Sequence, residues 1–205
     1  MLKRGFDICF SAAVLLLLAP VLLAVALWVK LDSHGPVFFR QRRVGRRGRE
    51  FLIYKFRTMG INAEANGPQI TIGADARITR SGAFMRKYKL DEFAQFINVL
   101  IGDMSVVGPR PEVPQYVALY PNHTREIVLS VRPGITDRAS IEFKDENDIL
   151  GKASDPHQAY VNEVLPIKLG FYIAYVQQRS FVGDLKIIFA TMVAVLHRRS
   201  IKAVL

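Results

Sequence analysis

One cysteine, Cys9, and four scattered histidines are nearly all the redox and soft-metal chemistry that these 205 residues contain. A single thiol excludes an intrachain disulfide and a cysteine-based zinc cluster, and is compatible with a reducing compartment. His34, His123, His157 and His197 show no metal-ligand spacing. A Walker A loop and a G-x-S-x-G nucleophile elbow are both missing. So are any long low-complexity linker and any evident internal repeat. Acids are scarce relative to bases, 18 against 28, which leaves a formal charge of +10 and an isoelectric point near 9.9. Such a balance implies an anionic partner: nucleic acid, an acidic lipid surface or a phosphorylated small molecule. A nucleic-acid-binding module would have to use the Arg40 to Arg57 region. No recognisable nucleic-acid motif accompanies it, so no nucleic-acid partner is expected.

What the chain does have is apolar residues, half of the total. That suffices for one compact domain plus a membrane segment, and predicts one functional unit. No formal charge occurs between Ile8 and Val29. A helix of that length, rising about 1.5 Å per residue, covers roughly 33 Å and reaches across a bilayer's hydrocarbon core. Lys3, Arg4 and the small residues Ala24-Val25-Ala26 also suit a cleaved signal peptide, but the run exceeds the ~7–15 residues usual for that core. Pro20 near the middle removes a backbone donor, so a kink or break between two half-helices is expected there. Lys3 and Arg4 precede the run, and Lys30, Arg40, Arg42 and Arg43 follow it. Both flanks therefore read as cytoplasmic. A helix-break-helix that dips in and returns accommodates this; a conventional kinked span is the other reading.

Beyond Lys30 the chain turns mixed and strongly basic, with Arg40, Arg42, Arg43, Arg46, Arg47, Arg49, Lys55 and Arg57 against one acid, Glu50. Gly45 and Gly48 suggest a turn, and Glu50 to Arg57 reads as a short strand, so a hairpin is predicted. Most of these arginines suit a lipid-facing loop on anionic headgroups. Lys55 and Arg57 lie in an apolar strand pattern, where a partly buried cation requires an anionic partner. Met59 to Thr79 reads as a loop with a short helical piece. Ser81 to Tyr88 and Asp91 to Leu100 read as helices, the second with Leu90, Phe93, Phe96, Ile97 and Leu100 as its core stripe and Asp91, Gln95 and Asn98 opposite. Val106 to Glu112 and Arg132 to Thr136 each attach an arginine, Arg110 and Arg132, to a stiff proline turn suited to clamping phosphate. Pro156 to Gln178 and Val182 to His197 read as helices. The latter is amphipathic through Leu185, Ile188, Phe189, Met192 and Leu196 and ends in His197, Arg198, Arg199 and Lys202. It could pack on the core or lie along the membrane interface, and its apolar face offers a contact surface for a homodimer.

Asp91-Glu92, set among Arg86, Lys87 and Lys89, admits two readings. The aspartate caps a helix with the glutamate beside its dipole, or the pair is a nucleophilic carboxylate next to a ligand for a hard cation. The surrounding motifs, in order, resemble those of the bacterial sugar transferases, the monotopic phosphoglycosyl transferases that begin glycoconjugate assembly on undecaprenyl phosphate. They are Lys3-Arg4-Gly5-Phe6-Asp7, Tyr54-Lys55-Phe56-Arg57-Thr58-Met59, Leu90-Asp91-Glu92, Asn98 to Ser105, Val107 to Glu112 and Arg132 to Thr136. They span nearly the whole chain.

The resemblance implies an α+β, mainly helical fold: a re-entrant membrane segment over 1–32 broken at Pro20, a cytoplasmic catalytic body over 33–205, and amphipathic interfacial helices. It implies that a UDP-sugar and polyprenyl phosphate react with Mg²⁺ at the cytoplasmic face of the bacterial inner membrane, through a covalent intermediate on Asp91. Glu92 would position metal with Asp91 or handle a proton. Arg86, Lys55, Arg57, Arg110 and Arg132 would hold phosphate, or brace the acids by ion pairs. A scaffold that retains the fold without the activity is the nearest alternative. Three places depart from the family pattern: Phe93-Ala94-Gln95 follows the dyad where many members have a leucine and then proline, Asp137-Arg138-Ala139-Ser140 replaces a glycine-rich segment, and Ala19 rather than serine precedes Pro20.

Overall fold

The computed structural model describes residues 2–63, 75–143, 146 and 150–196. Its architecture is α+β and mainly helical, as expected. Helix α1 (Leu2–Leu17) and helix α2 (Ala19–Asp32) form the N-terminal pair, with Pro20 in the first turn of α2, where its missing N–H does least harm. The two axes are bent by 65°. The expected break is therefore present just ahead of the proline. No single helix among the described residues is long and apolar enough to cross a membrane; this bent pair reaches that length and composition together.

α1 is not a free apolar rod. Asp7 and Ser11, one turn apart, are its two buried side chains. Asp7 accepts from the Ser105 hydroxyl at 2.8 Å and the Val106 backbone N–H at 3.1 Å. Lys3 pairs with Asp184 at 2.6 Å, and Arg4 donates to the carbonyls of Val99 and Leu100. The polar start of the helix is thereby fastened to the body, while Leu16, Leu17, Val21, Leu23, Leu27 and Leu31 stay exposed around and beyond the bend.

Strand β1 (Phe38–Val44) and strand β2 (Glu50–Phe56) form the predicted antiparallel hairpin, in register from Phe38 opposite Phe56 to Val44 opposite Glu50. Its turn places Arg47 at φ 58°. Helix α3 (Arg80–Tyr88) leads into a 3₁₀ turn (Leu90–Ala94) and helix α4 (Gln95–Ile101). Here the expected polar side is corrected: Asp91, Gln95 and Asn98 are all buried. Asn98 accepts from the Tyr54 N–H and donates to the Leu52 carbonyl, so its amide satisfies the free edge of β2 in place of a third strand.

Strands β3 (Ser105–Val107) and β4 (Gly134–Thr136) pair in parallel, with helices α5 (Pro114–Ala118) and α6 (Asn122–Val128) between them and helix α7 (Arg138–Glu142) after. Helix α8 (Pro156–Ala159), a π turn (Tyr160–Val164) and helix α9 (Leu165–Gln178) run on from one another, matching the helix expected over these residues. Helix α10 (Phe181–Leu196) follows. Among the described side chains of its expected apolar stripe, Ile188 is buried and Leu185, Phe189 and Met192 face outward, because the buried side is used by Asp184 and Ile188. His197, Arg198, Arg199 and Lys202 lie outside the described residues, as does much of the segment between Met59 and Thr79.

The two arginine-bearing turns are joined backbone to backbone. Gly134 donates its N–H to the Pro109 carbonyl at 2.9 Å, and a Cβ on Gly134 would overlap the backbone nitrogen and oxygen of Gly108. Gly134→Ala should therefore destabilise by about 3 kcal/mol, the upper range for forcing atoms into a packed site. Thermal unfolding of the two proteins in the same detergent checks this; an unchanged midpoint would refute the close approach.

Candidate active site

Helix α3 ends at Lys89, which takes a left-handed conformation at φ 55°, a region costly for a residue with a Cβ. That reversal launches the 3₁₀ turn carrying Asp91 and Glu92. Three residues per turn send adjacent side chains about 120° apart, so neighbours in sequence enter different surroundings. Neither acid caps a helix: the N-terminal capping positions of the 3₁₀ turn and of α4 are Lys89 and Ala94, both without a side-chain cap hydrogen bond. The capping alternative for Asp91 is thus excluded.

Glu92 is claimed by two cations. Arg110 donates to it at 2.7 Å, with a second contact at 3.4 Å, and the Lys55 ammonium donates at 3.3 Å. Burial alone would raise its pKa, but the charges of Arg110 and Lys55 hold the carboxyl well below the usual glutamate range. The same pair raises Arg110 well above its ordinary value. Lys55 is lowered by burial, a loss that Glu92 partly offsets. Lys55 therefore has the anionic partner that its place in an apolar strand demanded.

Asp91 is the opposite case. It is 8% exposed, and among the described residues its buried Oδ1 has no hydrogen-bond partner. Burial raises its pKa, and Lys55 opposes that shift, helped by Lys89 and Arg86, while Glu92 adds to it. A buried carboxylate oxygen without a partner, within the influence of Lys55, Lys89 and Arg86, is costly to maintain in a fold. It is also a ready nucleophile or a ligand for a hard cation.

The remaining arginines separate by what they hold. Arg86 gives only its Nε to the Thr58 hydroxyl, at 2.9 Å, and among the described residues its two terminal nitrogens have no hydrogen bond. Arg57 instead donates four bonds, to the Pro36, Val29 and Ser33 carbonyls and the Ser33 hydroxyl; it ties the end of α2 to the hairpin and meets no carboxylate among the described residues. Arg132 donates Nε to the Gly102 carbonyl at 2.8 Å, so with Arg4 it closes the C-terminal end of α4. The structure thus brings Lys55, Arg86, Asp91, Glu92 and Arg110 together and gives Arg57 and Arg132 backbone partners around them.

Sequence reasoning did not assign a role to the layer behind Arg110. Arg43 donates to the Pro111 carbonyl at 3.0 Å and lies 3.8 Å from Glu112. Tyr160 donates to Glu112 at 2.8 Å, and Lys168 stands 3.9 Å from Glu112 and 2.8 Å from Glu146. Glu112 stood in a quoted motif and its position was a usable signal. Lys168, on a helix 56 residues further on by the numbering, had none. Asp137, in the segment that departs from the family pattern, is buried with both oxygens on Ser140; burial raises its pKa.

Two consequences can be measured. Glu92→Gln strands Arg110 and Lys55 without their carboxylate and should cost about 3 kcal/mol, at the low end for a broken buried pair because the site is partly open; denaturant titration reads it. Because burial raises the folded pKa of Asp137, its ionisation costs stability, a cost absent below the unfolded pKa, growing as pH rises from there towards the raised folded value and complete above it. Asp137→Asn should therefore gain melting temperature relative to wild type between pH 4 and pH 8; a difference flat with pH would contradict it.

Comparison with known proteins gives concordant matches. A family model described as bacterial sugar transferase matches residues 1–198. The UDP-N-acetylgalactosamine-undecaprenyl-phosphate N-acetylgalactosaminephosphotransferase of Aeromonas hydrophila is 40% identical over 200 residues, 95% of this chain and 44% of that protein. The UDP-glucose:undecaprenyl-phosphate glucose-1-phosphate transferase of Escherichia coli (strain K12) is 38% identical over 195 residues, 94% of this chain and 39% of that protein. Exopolysaccharide production protein PSS of Rhizobium leguminosarum bv. phaseoli is 40% identical over 206 residues, 96% of each. The chain spans less than half the length of the first two relatives and nearly all of the third.

Proposed function

This chain belongs to the bacterial sugar transferase family, and we propose that it transfers a sugar 1-phosphate from a UDP-sugar to undecaprenyl phosphate, releasing UMP, as the first membrane step of glycoconjugate assembly. The observation that carries the reading is the division of labour in the dyad: Glu92 is neutralised by Arg110 and Lys55, and Asp91 is left with a buried, unpartnered oxygen among cations. The printed activities of the Aeromonas and Escherichia relatives support the substrate classes.

In this mechanism an Asp91 carboxylate oxygen attacks the sugar-linked phosphorus. The bond from that phosphorus to the bridging oxygen breaks, and UMP leaves with the electron pair. A phosphate oxygen of the polyprenyl phosphate then attacks the same phosphorus and expels the Asp91 carboxylate, which closes the cycle without net proton transfer. Arg86, whose two terminal nitrogens have no hydrogen bond among the described residues, binds the diphosphate charge, and Lys55 and Arg110 stabilise the negative charge that moves onto the leaving phosphate.

Mg²⁺ is part of the same proposal. Among the described residues no group of three metal-ligating side chains is assembled, but Mg²⁺ commonly uses one or two carboxylates with substrate phosphates and water. The orphaned Asp91 oxygen fits that donor set; Glu92, whose oxygens are held by Arg110 and Lys55, would join it by giving up one of those contacts. When bound, the ion supplies neutralisation of the diphosphate.

The bent α1–α2 pair is read as a membrane dip that enters and returns, because its bend region exposes Leu16, Leu17, Val21 and Leu23 while both flanks are basic. The body then lies on the cytoplasmic face of the inner membrane, with the exposed side of α10 against lipid. Asp91→Asn keeps the shape and removes the nucleophile; single-turnover UMP release should fall at least about 1000-fold. Release at the wild-type rate across a UDP-sugar panel would sink the covalent mechanism, and labelling of the two ends of 8–29 from opposite sides would sink the dip.

A further inference from the structure

On the side of α2 and α3 turned away from the buried cluster of Val25, Val29 and Met85, three aromatic rings remain at the surface. Trp28, Phe84 and Tyr88 are 40%, 42% and 46% exposed. They form a row, with ring centroids 5.3 Å apart from Trp28 to Phe84 and 4.7 Å from Phe84 to Tyr88. The two ends of the row differ in chemistry. At the Trp28 end are the exposed leucines of the apolar pair, Leu27 and Leu31. At the Tyr88 end the Lys87 ammonium sits 5.4 Å over the ring, and exposed Lys89 follows, two residues ahead of Asp91.

The strip is apolar along its length. The cations near its Trp28 end are engaged locally, Lys30 by the Gly35 carbonyl and Arg80 beside Asp32, whereas its Tyr88 end presents Lys87 and Lys89 where it meets the dyad, which suits one kind of molecule. That molecule has a long apolar tail and a single anionic head, presented in that order. Continuity with the exposed face of α2 lets the tail run from the bilayer without crossing water, and rings with two side-chain torsions offer apolar contact at little entropic cost. α10 also exposes apolar residues, Val182, Leu185, Phe189 and Met192, but they form no ring row leading to the acids.

We propose that Trp28, Phe84 and Tyr88 seat the isoprenoid tail of the lipid-phosphate acceptor, and that Lys87 and Lys89 receive its phosphate beside Asp91. The proposal rests on the transferase reading above and adds to it an acceptor subsite. It makes tail length, rather than the sugar, the property that this surface recognises. Phe84 and Tyr88 act by positioning the acceptor and take no part in donor cleavage.

The test uses the full chain in nanodiscs, with a UDP-sugar that wild type cleaves, and compares undecaprenyl phosphate with two-isoprene geranyl phosphate. Phe84→Ser/Tyr88→Ser should raise the KM for undecaprenyl phosphate about tenfold. It should leave the KM for the short acceptor, the KM for the UDP-sugar and acceptor-free single-turnover UMP release unchanged. Phe84→Leu/Tyr88→Leu, which keeps apolar bulk, should recover part of the loss. Phe189→Ser on α10 removes exposed apolar surface elsewhere and should keep the long-tail preference. An unchanged preference in the double serine variant, or an equal loss in Phe189→Ser, would overturn the strip while leaving the transferase reading intact. Failure of wild type to release UMP from any UDP-sugar would overturn the reading and the subsite with it.

Discussion

Two cations sharing one carboxylate is the interaction on which the site depends. Arg110 and Lys55 both close on Glu92, and the three groups come from segments far apart in the chain: the hairpin, the 3₁₀ turn and the proline-flanked turn after β3. Their mutual neutralisation makes partial burial of all three tolerable. It also saturates Glu92, which leaves the neighbouring Asp91 as the acid with an uncommitted oxygen. The chemistry proposed here follows from that asymmetry between adjacent residues.

The rest of the fold can be understood as support for this clamp. Arg110 is held between Pro109 and Pro111, and the turn is braced from behind by Arg43, Glu112, Tyr160 and Lys168. Gly134 lies against it at backbone distance. Lys55 is set by the register of β2, whose free edge is satisfied by the Asn98 amide from the helix that follows the dyad. Arg4 and Arg132 close the far end of that helix, so its position is fixed from both the apolar pair and the β4 turn. α1 thereby joins the apolar segment directly to the helix that follows the acids.

Much of this was legible in residue order. The break at Pro20, the basic hairpin, the long helix over 156–178 and the clustering of motifs around Asp91-Glu92 all follow from local rules: proline's missing donor, strand alternation, turn glycines and helical spacing. Polar residues on α4 were the clearest misreading. Asp91, Gln95 and Asn98 have the spacing of a solvent-facing side, and periodicity carries no information about whether a polar group will find a strand edge to pair with. Arg57 was misleading in a related way, since a buried cation can be satisfied by carbonyl oxygens as well as by an acid.

By itself, the sequence determined the family, the apolar segment with its break, the cationic surface and the identity of the acidic pair, because each is written in contiguous residues or in motif order. Tertiary structure alone decided which acid is neutralised and which is free, since that depends on Arg110 and Lys55 arriving from distant segments. It also decided that the first helix is bound to the body through Asp7, Lys3 and Arg4. Charge pairing across such separations is set by packing, and no local pattern in the chain encodes it.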